Sequence, residues 1–133
     1  MRTRLALRVA LLSVAVGATT TVPVAALQAP ERAGGGYSGW TACSTRAGAK
    51  ASHRCKVSQP KAAFFRSARH DATYKVCVKF PGKKRRLCAG AQPAPEGKRV
   101  HVTITSSKLG THKVTWYVDG HLVDTWRLEV IAG

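Results

Sequence analysis

The sequence predicts an all-β sandwich of about seven short antiparallel strands that is held together by two disulfides. From Trp40 onward, short runs rich in β-branched and aromatic residues alternate with Gly, Pro and Lys, and no window has the apolar period of a helix. All four cysteines follow an N-terminal export signal, and an even number of cysteines in an exported chain usually forms a disulfide framework.

The first 26 residues have the pattern of a signal peptide. Three arginines lie within the first eight residues, an apolar run follows at 9–16, and the small residues Val24-Ala25-Ala26 precede the predicted cleavage site. No later run is apolar enough to span a membrane, and no cysteine stands at the cleavage site to carry a lipid. We therefore expect a secreted, extracellular product without a transmembrane segment.

Cleavage after residue 26 of 133 leaves 107 residues, which is enough for one domain. Residues 27–39 contain Pro, Ser and three consecutive glycines, a composition typical of a flexible linker. We predict a linker at 27–39 and a β-sandwich domain at 40–133.

The composition is strongly basic. The chain has 22 Lys and Arg against six Asp and Glu, and the signal removes three of the basic residues, so 19 minus 6 leaves +13. This imbalance predicts attraction to an anionic polymer or envelope surface, with nucleic acid as a less favoured partner. The alternative is a solubilising surface without a dedicated partner, and the sequence does not indicate an oligomeric state.

The clearest strand pair is Tyr74–Phe80 with Arg85–Gly90, joined by a four-residue loop that contains Pro-Gly. This loop length sets Cys77 directly opposite Cys88, and directly opposed residues are close enough for a disulfide. The same register sets Val78 against Leu87 and Lys79 against Arg86.

A Cys77–Cys88 bridge leaves Cys43 and Cys55 to pair with each other, although four cysteines allow three connectivities. The rival interpretation is a zinc site, but single cysteines spaced by 12, 22 and 11 positions lack the close ligand pairs of such sites. We expect neither a metal nor another cofactor.

Two more strand regions follow. Val100–Thr105 alternates cleanly, with His101 and the threonines expected to face outward. Asp119-Gly120 lies between two alternating runs and predicts a tight hairpin. Its two-residue loop pairs Val118 with His121, Tyr117 with Leu122 and Trp116 with Val123, and it sets Trp126 opposite Lys113.

Several of these segments resemble small exported immunoglobulin-like domains of actinomycete bacteria. The resemblance covers residues 40–131 and rests on YKVCVKFP from Tyr74, the Leu87-Cys88 return, VTWYVDG from Val114 and WRLEV from Trp126. It implies an immunoglobulin-like sandwich outside the cytoplasm, and it carries no catalytic motif. Unlike antibody domains, Cys77 and Cys88 lie on neighbouring strands.

The first hairpin also predicts a basic face. Lysines 75 and 79 share a strand face with Arg86, on the assumption that the Cys77–Cys88 bridge faces solvent, and further cations lie in the turn. The predicted anion-binding set is Lys75, Lys79, Lys83, Lys84, Arg85 and Arg86. The alternative is a charged edge that discourages aggregation between strands.

Other functions have less support. His70, His101, His112 and His121 fall in no catalytic motif, so we expect no catalytic residues, with a small nuclease-like hydrolase as the enzymatic alternative. A protein-binding inhibitor or adhesin module is the other alternative. Five aromatic residues could stack on bases or sugars, but alternation places most of them in a core, Trp126 being the expected exception: Tyr74, Phe80, Trp116, Tyr117 and Trp126.

Overall fold

The computed structural model describes residues 35–133, which form nine strands and no helix. The strands are β1 (Tyr37–Ala42), β2 (Arg54–Lys56), β3 (Ala62–Ser67), β4 (Ala72–Lys79), β5 (Arg86–Cys88), β6 (Gln92–Ala94), β7 (Arg99–Thr103), β8 (Gly110–Val118) and β9 (His121–Ile131). The all-β prediction is confirmed. The predicted signal peptide at 1–26 lies outside the described residues.

The strands form the two sheets of an immunoglobulin-like sandwich. The smaller sheet has the order β1-β3-β7, and the larger has the order β2-β9-β8-β4-β5, with β6 also pairing with β4. The order β9-β8-β4-β5 corresponds to the G-F-C-C′ sheet of variable-type immunoglobulin domains.

Two details of the predicted architecture need correction. Nine strands are present instead of about seven, because three of them are only three residues long, and the β2–β9 pair is parallel. The domain also begins earlier than predicted, since β1 starts at Tyr37 and pairs with β3 from that residue on. Residues 37–39 therefore belong to the sandwich and not to the linker.

The core between the sheets centres on Trp116, whose side chain is fully buried. A Cβ atom on Gly39 would lie 2.3 Å from the Trp116 ring, so only glycine allows β1 to pass this close to the indole. Next to it, Phe65 stacks on Tyr74 with the ring centroids 4.6 Å apart. Burial raises the pKa of Tyr74 to about 12, so its phenol stays neutral.

The predicted disulfides, Cys43–Cys55 and Cys77–Cys88, are both confirmed. Cys43 directly follows β1 of the smaller sheet and Cys55 lies in β2 of the larger sheet, so this bridge joins the two sheets. The Cys77–Cys88 bridge instead joins neighbouring strands of one sheet.

The β8–β9 hairpin differs from its predicted register. Asp119 and Gly120 have φ values of 51° and 80°, as the predicted turn requires. Val118 pairs with His121 and Tyr117 with Leu122, as expected, but the register then shifts and Trp116 pairs with Asp124. The predicted Trp116–Val123 pair is therefore wrong, because Val123 is the extra residue of a β-bulge.

The bulge changes the partners of all later β9 residues. Trp126 pairs with Val114 and not with Lys113, whose partner is Arg127. The Asp124 carboxylate accepts a hydrogen bond from the Gly39 backbone N–H at 2.9 Å, which ties the bulge to β1 in the other sheet.

The outer face of the smaller sheet is covered by the chain itself. Phe64 points away from the inter-sheet core and is nevertheless buried, in a cluster with Ala49 of the loop between β1 and β2. Trp40 stacks on Phe64 with the ring centroids 5.7 Å apart, and the Arg99 guanidinium donates to the Ala47 carbonyl across this loop. We call residues 44–53 the covering loop.

Candidate anion-binding surface

The β4–β5 hairpin has the register that the sequence predicted. Cys77 pairs with Cys88, Val78 with Leu87 and Lys79 with Arg86. The six predicted cations are all exposed, two on β4, one on β5 and three in the turn between them: Lys75, Lys79, Arg86, Lys83, Lys84 and Arg85.

Two further cations extend this set across the larger sheet. Lys79 pairs with Lys113 of β8, and Lys113 pairs with Arg127 of β9. Arg86, Lys79, Lys113 and Arg127 therefore stand side by side on four adjacent strands, and we call them the cation row. Directly opposed residues of neighbouring strands have Cβ atoms about 5 Å apart.

A cleft of about 350 Å³ opens beside the cation row where the β4–β5 turn approaches β8 and β9. Its lining includes four cationic residues and a threonine: Lys79, Lys83, Lys113, Arg127 and Thr111. No aspartate or glutamate lines it. The cleft therefore offers four cations and one neutral hydroxyl to an anion.

No carboxylate of residues 35–133 forms an ion pair with the row. Among the residues that the structure describes, the one ion pair joins Arg54 to Glu129, at 3.1 Å, and both side chains are largely exposed. The Asp124 carboxylate is directed at the backbone N–H of Gly39. The cations of the row thus have no acidic partner within this part of the chain.

Arg86 is held by an aromatic ring. Its Cζ atom lies 4.9 Å from the centroid of the Tyr117 ring, and its Nη1 donates a hydrogen bond to the Tyr117 hydroxyl. This stack lies beside the disulfide, and Thr115 stands directly opposite Cys77. Cys77 is consequently only 1% exposed. The expectation that both cysteines face solvent is wrong for Cys77 and correct for Cys88.

The aromatic residues divide between core and surface. Tyr74 and Trp116 are buried, as expected, and Phe80 is half-buried against His112. Tyr117 is half-exposed on the outer face with Arg86. Trp126 is half-buried and packs against the core, so Tyr117 and not Trp126 is the aromatic residue outside it. Trp126 also stacks on His53 with the ring centroids 3.9 Å apart.

Among the described histidines, His112 is the one that is fully buried. Its Nδ1 donates to the Gly110 carbonyl at 3.1 Å, and the Ser106 hydroxyl donates to its Nε2 at 2.8 Å. Burial lowers the pKa of His112, so the ring stays neutral. A serine beside a histidine base suggests a nucleophile, but both ring nitrogens hold neighbouring chain segments and the ring has no solvent access.

The other three candidate histidines lie apart from one another. His70 accepts a hydrogen bond from the Tyr37 hydroxyl at 3.2 Å, His101 lies on the outer face of β7, and His121 begins β9. His70, Asp71 and Asp119 line a separate cleft of about 410 Å³ at the end of the sandwich where the β3–β4 and β8–β9 connections meet. No lysine or arginine lines that cleft.

Sequence reasoning missed Lys113 and Arg127. Both join the site through long-range strand pairing, β4 with β8 and β8 with β9, and the bulge places Arg127 opposite Lys113. A signal was nevertheless present, because the two-residue turn directs position 123 inward, whereas the later apolar residues of β9 occupy the even positions 126, 128 and 130. Such a change of phase within one strand indicates a bulge.

No protein-family model matches this sequence, and no curated protein is found that matches it. Residues 35–133 contain no group of three or more His, Cys, Asp or Glu side chains placed to hold a metal ion. In the same range, no helix is long and apolar enough to cross a membrane.

Proposed function

We propose that this protein is a secreted, non-catalytic binding module that associates noncovalently with anionic polymers of the cell envelope or the extracellular space. The cation row and the turn cations next to it form the binding face. The observation that carries this proposal is the placement of four cations on four adjacent strands without a carboxylate partner among the described residues.

The position of the row argues for a ligand. Like charges directly opposed across strands destabilise a sheet, and the row contains three such pairs in succession. A charged edge that prevents aggregation would explain cations on an outermost strand. Lys79 and Lys113, however, lie on β4 and β8, which are paired on both sides. A polyanion laid across these strands would replace their mutual repulsion with attraction.

The compartment fits this partner. Two disulfides indicate an oxidising environment. We propose that the predicted signal at 1–26 directs the chain outside the cell, and that its relatives are the small exported immunoglobulin-like proteins of actinomycetes. The topology of the two sheets supports that relationship, and noncovalent contacts to an anionic polymer would then retain the protein at the surface.

The experiment is a salt series with the oxidised chain from Leu27 onward and two immobilised polyanions, isolated envelope polymer and polyphosphate. The test variant is K79E/K113E, and its matched control is K50E/K98E, which changes the net charge equally at exposed lysines of the covering loop and of the turn before β7. Each row cation near an anionic surface contributes about 1 kcal/mol, so reversing two should weaken binding by roughly 30-fold or more at low salt.

The outcomes separate a site from general charge. Loss of affinity in K79E/K113E alone supports the proposal, and the affinity should fall as salt screens the exposed charges. Equal loss of affinity in both variants would show that binding depends on net charge and not on the position of the row. If the protein binds neither polymer at low salt, the proposed function is contradicted.

A further inference from the structure

One side of the sandwich is incomplete. The smaller sheet ends at β7, and β7 lines a common groove with β4 and β5 at the edge of the larger sheet. Leu87 of β5 pairs with the buried Val78 and shares its inward face, yet Leu87 remains 65% exposed, and no described strand continues the smaller sheet beyond β7 to cover it.

An apolar groove of about 180 Å³ lies between β5 and β7 at this open side. Aliphatic and aromatic side chains from both sheets form most of its lining: Val76, Val78, Phe80, Leu87, Val102 and Ile104. A solvated groove of this kind at the rim of a core loses the contacts that another strand would supply.

The free edge of β7 carries unpaired backbone groups. The N–H of Ile104 donates to the Lys61 carbonyl at 2.8 Å, so this residue turns its backbone groups toward β3. Because the bonded positions alternate in an antiparallel pair, Val102 and Val100 do the same. The backbone N–H and C=O groups at positions 99, 101 and 103 therefore point away from β3, where no described strand pairs with them.

We propose that β7 accepts an extended segment of a protein partner as a fourth strand of the smaller sheet. The segment's backbone would pair with positions 99, 101 and 103, and its alternate side chains would be apolar and fill the groove over Leu87. Basic residues flank the site at Lys98, Arg99 and Arg85, all exposed. Acidic residues at the two ends of the segment would be complementary to this positive charge.

Charge also decides between the two kinds of strand donor. A second copy of the cleaved chain would bring together two molecules of formal net charge +13 each. An acidic-flanked segment of another protein meets no such repulsion. The site does not depend on the proposed polymer binding, because the cation row lies on the outer face of the larger sheet and the groove opens between the sheets.

Amide hydrogen exchange of the free, oxidised protein tests the edge first. The amides of Val100, Val102 and Ile104 should exchange slowly, and those of Arg99, His101 and Thr103 should exchange fast. If all six exchange slowly, the edge is already covered and the proposal fails. Sedimentation of the same sample would then show whether a second copy of the chain, in a dimer, pairs with this edge.

The second step uses a fixed probe set of nine-residue peptides, with Val, Ile or Leu at three alternate positions, Thr between them and Asp-Glu at each end. A binding peptide should slow exchange of the amides at 99, 101 and 103. Binding should persist at 0.5 M salt, about where exposed charges are screened. The proposal is overturned if no peptide of the set binds with a Kd below about 1 mM. It is also overturned if a peptide slows amide exchange only at the cation row.

Two variants separate this site from other surfaces. Leu87→Ser should weaken peptide binding about tenfold, since it removes apolar surface that the peptide would bury. Leu122→Ser is its control, because Leu122 is also half-exposed but lies on the outer face. His101→Pro removes one free-edge N–H, and His101→Ala controls for loss of the imidazole. Equal effects within either pair would contradict the proposal.

Discussion

The outer faces of the two sheets differ in what covers them. On the smaller sheet, Ala49 of the covering loop and Trp40 pack against the cluster of the buried Phe64, and Cys43–Cys55 closes that loop. On the larger sheet the cation row is open to solvent, and the Cys77–Cys88 bridge lies beside it with Cys88 exposed and Cys77 buried. The chain therefore buries one outer face and leaves the other exposed at some electrostatic cost, which the proposed polyanion would offset.

The largest expected effect comes from removing an aromatic ring on the covered face. Phe64→Ala should lower the free energy of unfolding by about 3 to 4 kcal/mol, because the ring is buried although it points away from the inter-sheet core. Leu122→Ala on the open face should cost less than about 0.5 kcal/mol. Urea unfolding of both variants checks this contrast, and similar losses would mean that the covering loop adds no core.

The disulfides give the next comparison. They close loops of nearly equal length, with separations of 12 and 11 residues, so chain entropy alone predicts about 3 kcal/mol from each. Replacing Cys43 and Cys55 by Ala should cost that amount, since this bridge joins two sheets. Replacing Cys77 and Cys88 should cost about half as much, because the three-residue β5 can open locally. Calorimetry of both double variants measures the difference, and equal losses would favour the entropy model.

A third prediction concerns β8, whose outward Lys113 stands next to the inward His112. The pKa of His112 is lowered in the folded chain, so its contribution to stability is complete above pH 6.5. It is lost as the pH falls from there toward the lowered value, because only the unfolded chain binds the proton. The slope can reach about 1.4 kcal/mol per pH unit. Urea unfolding at pH 7 and 5 should show this loss, and His112→Gln should remove it.

The smallest expected effect is a gain in stability. Lys79→Thr with Lys113→Thr removes the central like-charge pair and should stabilise the fold by about 0.5 kcal/mol at low salt. The gain should shrink at 1 M salt, where the Debye length is about 3 Å. Thermal unfolding at both salt concentrations checks it, and polymer binding by the same variant should decrease. If the variant is instead less stable, the aliphatic parts of the two lysine side chains contribute packing on the sheet.

Local patterns predicted the hairpins well. The four-residue loop set Cys77 against Cys88, and Asp119-Gly120 set the β8–β9 turn, because both features act within a few residues. Strand β3 was not identified, since its buried AAFFRS run does not alternate. Each face of β3 is covered by a different part of the chain, so hydrophobic residues occur at successive positions.

The site was predicted in part for a related reason. The six cations of the first hairpin follow from one turn, whereas Lys113 and Arg127 join them through pairings that close only when the sheet forms. The burial of Cys77 depends on Thr115 and on the Arg86–Tyr117 stack, which alternation within β4 does not reveal.

The bulge at Val123 has a consequence for insertions and deletions. Loss of Val123 would remove the bulge and keep the pairs Trp116–Asp124 and Lys113–Arg127, so both the core and the cation row would survive. Loss of a single residue such as Thr125 would instead exchange the faces of everything after it, turning the Arg127 guanidinium toward the core. Within β9, we therefore expect the fold to tolerate deletion of Val123 but not deletion of Thr125, two residues later.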